Sequence, residues 1–354
     1  MHFNNVFVSN LSKILSLTPM DSLTHIVLGA CLGKVILPEK MGKKALIFGA
    51  LAHSIPDIDG ISSFFNTASQ DLVIHRGLSH SFFIAFLLSL VFAAFFHKDK
   101  NSSYHFGKLA FCFFILIGLH DILDTCNNYG TELFAPFLSK RYSFHLLYVV
   151  DPLFTIVPLV MAIFLFAKKK YWKNATKIAW VGILIPIIYI GAVFIGKEKV
   201  EANIVKNNLP STAHLNILTP SPFNSMLWYG IFKDTNGDIY TTYRSIWDKP
   251  ERQNSFQFYP KNPTLLTPFK DREDVKNLLE FSDSVYVLQK HGDTTEFCIP
   301  RFGQILGWEF PNAEFTFYYY LNPGMDNALL IQRGRVRGWN TATKDFYWNR
   351  IWGK

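Results

Sequence analysis

The sequence predicts an α-helical integral-membrane bundle of about six segments, followed by a small β-rich (α+β) soluble domain. Three observations predict it. Residues up to about 196 are mostly apolar runs, whereas the remainder is polar, aromatic and rich in Pro, Gly, Asn and Asp. The chain carries 34 phenylalanines, and its apolar runs are bulky enough to face lipid. Short aromatic and β-branched runs separated by turn residues begin only after residue 196. A mean hydropathy of +0.14 averages over this split. A length of 354 residues suffices for two domains.

Six apolar segments can be marked, at about 25–37, 44–58, 79–97, 107–124, 144–167 and 177–196. The last two look long enough to cross a hydrocarbon core of ~30 Å, and the first two fall short of the ~20 residues a full span needs. Residues 1–19 lack the charged start, apolar centre and cleavage site of a signal peptide. Met20 directly precedes the first motif, so 1–19 is expected to be a dispensable extension, 20–196 the membrane domain and 197–354 the soluble domain.

Lysine placement sets an orientation. Lys40, Lys43 and Lys44 lie between segments one and two, Lys98, Lys100 and Lys108 between three and four, and Lys168, Lys169, Lys170, Lys173 and Lys177 between five and six. The other loops carry only Arg76, Lys140 and Arg141. Lysine-rich loops stay in the cytoplasm, so six spans would put the N-terminus and the domain after residue 196 outside it. The net charge of +8 is then no nucleic-acid footprint, since much of the lysine sits in short loops. The partner expected is the lipid bilayer.

The polar clusters fall at segment ends. DSLTH (Asp21 to His25) opens segment one, HSIPDID (His53 to Asp59) closes segment two, HRGLSHS (His75 to Ser81) opens segment three and HDILD (His120 to Asp124) closes segment four. An up-down bundle sends all four to one face. Asp21 and His25, like His120 and Asp124, have the i,i+4 spacing that stacks side chains on one helix face. Pro56 is expected to end a helix, leaving Asp57 and Asp59 on the loop after His53. His75 and His80 converge only if the chain bends at Gly77. Imidazoles and carboxylates without thiolate suit zinc, with manganese or iron as alternatives. The candidate ligands are His25, His53, Asp57, Asp59, His75, His80, His120 and Asp124, more than one tetrahedral site needs. Two or more ions are therefore expected, the usual arrangement for phosphoester hydrolysis.

Blander readings stand beside these. A histidine at a helix end is usually just a satisfied polar residue, and Asp21 could cap a helix. HSIPDID could be a plain helix exit. HRGLSH could anchor the chain at the interface with Arg76 snorkelling. Arg76 either binds an anionic substrate group or pairs with a local aspartate. Asp151 is either a remote ligand or, more simply, a helix-start carboxylate. His120 and Asp124 are harder to dismiss, because ionisable groups at membrane depth are costly. Cys31 and Cys112 read as buried small residues, and Cys126 and Cys298 could pair only if geometry allowed it.

After residue 196, MLWYGIFKDTNGDIYTTYRSIW reads as a hairpin around Asn236-Gly237. VYVLQKHGDTTEFCI reads as a second around His291-Gly292-Asp293, and FTFYYYLNPGMDNALLIQRGRV as two strands across Asn322-Pro323-Gly324. DREDVKNLLEFSDS between them predicts a helix with Asp271 as its N-cap. Trp228, Trp247, Trp308 and Trp339 could stack on sugars or fill a core.

D-x-x-T-H at 21–25, H-x-x-P-D-x-D at 53–59, H-R-G-x-[ST]-H-S at 75–81, and H-x-x-x-D at 120–124 followed by Gly130-Thr131 together resemble the YdjM-like family of membrane-bound proteins described as metal-dependent hydrolases. The match covers roughly residues 20–160 and is specific as an ordered set of four. The resemblance implies metal binding more firmly than any substrate, and a bacterial cytoplasmic (inner) membrane. H-x-x-x-D with scattered His and Asp is also similar to zinc-dependent phospholipase C and related single-strand nucleases, which are helical and trinuclear; no second H-x-x-x-[DE] follows residue 124 here.

The function expected is a metal-dependent hydrolase that uses metal-activated water on an ester or phosphoester of a lipid or envelope component. Arg76 would steady negative charge and Asp59 would serve as ligand or general base. The alternative is a non-enzymatic, membrane-anchored binding protein with a structural metal site.

Overall fold

Each apolar run does become a helix, but fewer of the helices can cross a bilayer than the composition predicts. The computed structural model describes residues 19–97, 104–167, 169–292, 294–321 and 338–354. The chain divides into two compact units. The first holds α1 (Pro19–Ile36), α2 (Lys44–Ser54), a 3-10 stretch (Pro56–Phe64), α4 (Phe82–His97), α5 (Phe106–Asp124), α6 (Pro152–Ala167) and the first half of α7 (Ala175–Lys206). The short α3 (Ala68–Ile74) falls almost wholly in the second unit.

Among the described residues, α5 and the stretch Trp172–Lys206 are long and apolar enough to span, with a third span if the bent pair Ala68–His80 and Phe82–His97 is counted as one. By length and composition the described residues thus give two or three candidate spans with shorter apolar helices between them, and do not confirm six full spans. The fifth segment is the clearest correction. Its helix begins at Pro152, because the Asp151 carboxylate accepts the backbone N–H groups of Leu153 and Phe154 and so starts α6 there. That leaves 16 helical residues, too few for a full span. Tyr189 donates to the other Asp151 oxygen at 2.8 Å, so Asp151 is a helix-start carboxylate rather than a ligand.

The pairing of α1 with α2 is set by glycine. Gly29, Gly33 and Gly49 let the two backbones touch: a Cβ on Gly33 would lie 2.2 Å from the Ala45 carbonyl oxygen and 2.6 Å from the Gly49 Cα. Gly29-x-x-x-Gly33 is the small-residue spacing by which apolar helices approach closely. Between α4 and α5 the contacts run in opposite directions. Phe82, at the start of α4, faces Phe114 and Gly118, while Phe92 and Phe96 further along it stack on Phe113. The start of α4 and the end of α5 thus lie at one level.

The second unit is built on two antiparallel sheets. One has order β1 (His214–Pro220), β2 (Leu227–Lys233), β3 (Ile239–Ser245), β4 (Gln257–Tyr259). The other has β5 (Val287–His291), β6 (Thr294–Cys298), β7 (Tyr318–Tyr320). The expected hairpins are β2–β3, whose loop is folded by Asp234 accepting from Asn236 and Asp238 with Gly237 at φ 87°, and β5–β6. The strands expected across Asn322-Pro323-Gly324 begin with β7, and the remainder lies outside the described residues. Ile217, Tyr229, Ile231 and Ile239 of the first sheet share a core with Val287, Cys298 and Phe315. The predicted helix is α8 (Glu273–Phe281), with Arg272 rather than Asp271 at its N-cap and no side-chain cap bond. A last helix, α9 (Thr341–Ile351), opens with a capping box between Asn340 and Thr343. Arg350 ties it to Asp248 through two bonds of 2.7 and 2.8 Å. All four cysteines are free thiols.

Candidate metal centre

The first unit draws ligand-type side chains from helix ends. His120 and Asp124 share a face in the last turn of α5, and His53 stands in the last turn of α2, just ahead of the Ile55–Pro56 exit. Pro56 stops the helix as its missing N–H requires, and Asp57 and Asp59 follow on the 3-10 stretch. Between α3 and α4 the chain reverses through Arg76, a non-glycine residue at φ 59°, and Gly77. That bend brings the His75 and His80 rings to 6.0 Å.

Four of the expected ligands form a cup. His80 Nε2 lies 3.5 Å from Asp57 Oδ1 and 3.4 Å from Asp124 Oδ2, and His120 Nε2 lies 3.6 and 3.7 Å from the same two oxygens. All four atoms fall within 4.8 Å of one another. Those separations are too long for hydrogen bonds, and neither Nε2 has a hydrogen-bond partner. They suit a shared cation: ligands about 2.0–2.1 Å from a tetrahedral zinc are about 3.3–3.4 Å apart. Buried, unbonded donors converging at that spacing fit a divalent ion. Three of the four residues are buried, and Asp57, 21% exposed, forms the rim.

The proton placement agrees. Ser79 Oγ donates to Asp59 Oδ2 at 2.7 Å, so towards His80 Nδ1, at 3.0 Å, it can only accept. His80 Nδ1 therefore carries a proton, which leaves Nε2 as the nitrogen that can turn a lone pair to the cup when a metal binds. Asp59 also accepts His75 Nδ1 at 3.0 Å and the Arg76 backbone N–H. Expected as ligand or general base, it stands behind His80 and orients it, with His75 as its second partner. Burial pushes the Asp59 carboxyl up, but hydrogen bonds from His75 and His80 outweigh it and hold the group below the usual carboxylate range. Asp57 behaves alike: burial raises it, while the neighbouring imidazoles of His80, His120 and His25 leave it depressed.

The remaining expected residues surround this cup. His25 Nε2 lies 3.2 Å from Asp124 Oδ1, with its ring 4.0 Å from that of His120. His53 donates Nδ1 to the Leu116 carbonyl at 2.7 Å, which leaves its Nε2 without a partner. Its ring lies 5.4 and 5.6 Å from those of His25 and His120. Arg76, expected to reach substrate, is buried: its Nε is 3.1 Å from Asp124 Oδ2 and its guanidinium covers the Tyr129 ring at 5.2 Å. It pairs with the local aspartate. The Arg76 carbonyl accepts Glu132 N–H, just after Gly130-Thr131, so that loop braces the bend. The side chain of Asp21 lies outside the described residues.

Two residues were missed. Ser79 sits inside HRGLSHS but is neither ionisable nor a usual ligand. Asp121, inside HDILD, is fully buried, and neither carboxylate oxygen has a hydrogen-bond partner. Its position three before Asp124 was the available signal.

A family model described as YdjM inner membrane protein matches residues 20–200, about half of the chain and the whole of this centre. The chain belongs to the YdjM inner membrane protein family. A relative described as uncharacterized protein YfhP, of Bacillus subtilis (strain 168), is 29% identical over 140 residues, 38% of this chain and 42% of YfhP. The chain thus matches less than half the length of that relative. No solved structure matches this YdjM-family chain.

Proposed function

We propose that the protein is an inner-membrane, metal-dependent hydrolase acting on an ester or phosphoester of a lipid or envelope component. The observation that carries this reading is the cup of Asp57, His80, His120 and Asp124, with two imidazole and two carboxylate atoms at ligand-to-ligand spacing. A divalent ion held there, zinc by preference and manganese or iron as alternatives, would supply water activated for attack and a positive charge for the developing oxyanion. Asp59 and Ser79 hold the His80 ring, Arg76 holds Asp124, and the partly exposed Asp57 is the side from which water and substrate enter. The surplus donors His25 and His53 support a second ion.

One observation favours the non-enzymatic alternative. Four protein ligands can close a tetrahedron, the pattern of a structural ion, whereas catalytic zinc keeps an open position. Elemental analysis of purified protein beside His80→Ala, His120→Ala and Asp57→Asn separates the two. Metal lost from both histidine variants but retained by Asp57→Asn, with phosphoester turnover lost from all three, is the hydrolase result. Absence of metal from wild type after re-addition would remove the reading, and Asp57→Asn that loses metal and unfolds would turn it into a structural site.

A further inference from the structure

Three tryptophans of the second unit form an exposed cluster that the metal chemistry does not use. The Trp247 and Trp352 rings stack at 5.8 Å, and Trp348, one turn before Trp352, meets it at 5.8 Å. They are 52%, 40% and 62% exposed. Burying such rings is favourable, and a soluble face seldom leaves three together in water. Of the other candidate sugar-stackers, Trp228 and Trp308 are buried in the core and Trp339 is half-buried, so Trp247 is the exposed one of the four.

The cluster's position identifies what covers it. Ile246, immediately before Trp247, lies against α7: its Cγ2 is 3.3 Å from where a Gly196 Cβ would be, and its carbonyl accepts Lys199 Nζ at 2.8 Å. Gly196 and Lys199 bracket the point at which the apolar run of the α7 span gives way to Lys197-Glu198-Lys199. That point is where a spanning helix leaves the hydrocarbon, and it is the level at which tryptophan and lysine gather in membrane proteins. We propose that Trp247, Trp348 and Trp352 seat the C-terminal unit in the headgroup layer beside the α7 exit, with exposed Lys249 and Lys354 towards anionic phospholipid. The inference is independent of the metal reading.

The test uses the full chain reconstituted into vesicles of phosphatidylcholine and phosphatidylglycerol. Some vesicles carry lipid brominated near the headgroup and others lipid brominated deep in the acyl chain. Subtracting the emission of Trp348→Phe/Trp352→Phe from wild type isolates the cluster's contribution. Expected is a difference emission that loses most of its intensity to shallow-brominated lipid, little to deep-brominated lipid, and little to water-soluble acrylamide. Difference emission untouched by either lipid and removed by acrylamide overturns the proposal. So does emission shielded from acrylamide only when soluble cell-wall glycan is added, which would make this a sugar-binding face. Should the double variant fail to reconstitute, Trp247→Phe gives the same subtraction on the third ring.

Discussion

Gly29 lies so close to His53 that a Cβ on the glycine would stand 2.5 Å from the histidine's own Cβ. The helix contact and the candidate metal centre are therefore one construction. Gly29→Ala must push α2 away and carry His53 with it. The expected cost is about 1–3 kcal/mol of stability, the usual penalty for overpacking, together with weaker metal retention. Gly107→Ala, where nothing lies within 4 Å, is the control and should be neutral or slightly stabilising. Thermal unfolding and metal content of both variants check this.

Asp59 orients His80 without lying among the four cup atoms. Asp59→Asn should keep all four ligands but lose the charge that fixes Ser79, His75 and the His80 tautomer. Metal affinity is expected to fall about 10–100-fold, as for other residues that orient a ligand. Competition with a chromophoric chelator measures it. Unchanged affinity would show that Ser79 alone suffices.

Asp121 is a buried carboxylate with no hydrogen-bond donor, three residues from Asp124 on the same helix. A carboxyl buried without a partner is costly to ionise, and negative charge beside a cation site favours the cation. Asp121→Asn should leave the unfolding temperature of metal-free protein nearly unchanged and lower its affinity for divalent ions. Unchanged affinity would contradict this account.

Half-buried His145, in the second unit, is pushed down to about 3 by burial and by the charges of Lys197 and Arg301. Its unfolded value is ~6.5. A depressed group contributes stability that is complete above the unfolded value and is lost as pH falls towards the folded one. The second unit should therefore weaken as pH drops below about 6.5, by at most about 1.4 kcal/mol per pH unit. Asn tolerates the φ of 49° found here, so His145→Asn should flatten the slope. Urea unfolding across that range, followed by near-ultraviolet circular dichroism, tests it.

Much of the centre was legible because its ligands stand at helix ends in fixed spacing. The i,i+4 pair His120 and Asp124, the Pro56 stop and the bend beside Gly77 each follow from backbone geometry. The split between cup and support was not legible, since spacing along a chain cannot say which side of His80 faces a ligand. Ser79 decides that through a single hydroxyl. The length of α6 was misjudged because Leu146 to Val150 is apolar but precedes the Asp151 cap. In the second unit Asn236-Gly237 announced its hairpin, whereas α9 escaped notice: TATKDFYWNRI has no aliphatic stripe, and the capping box that starts it was the one sequence cue.

The cup takes one carboxylate from residue 57 and another from residue 124, with α4 and most of α5 between them. A chain emerging from the ribosome presents at most half of it until α5 has been inserted. An ion bound by this cup would thus have nothing to grip during early synthesis, and its capture would mark the moment at which insertion of this unit has reached Asp124.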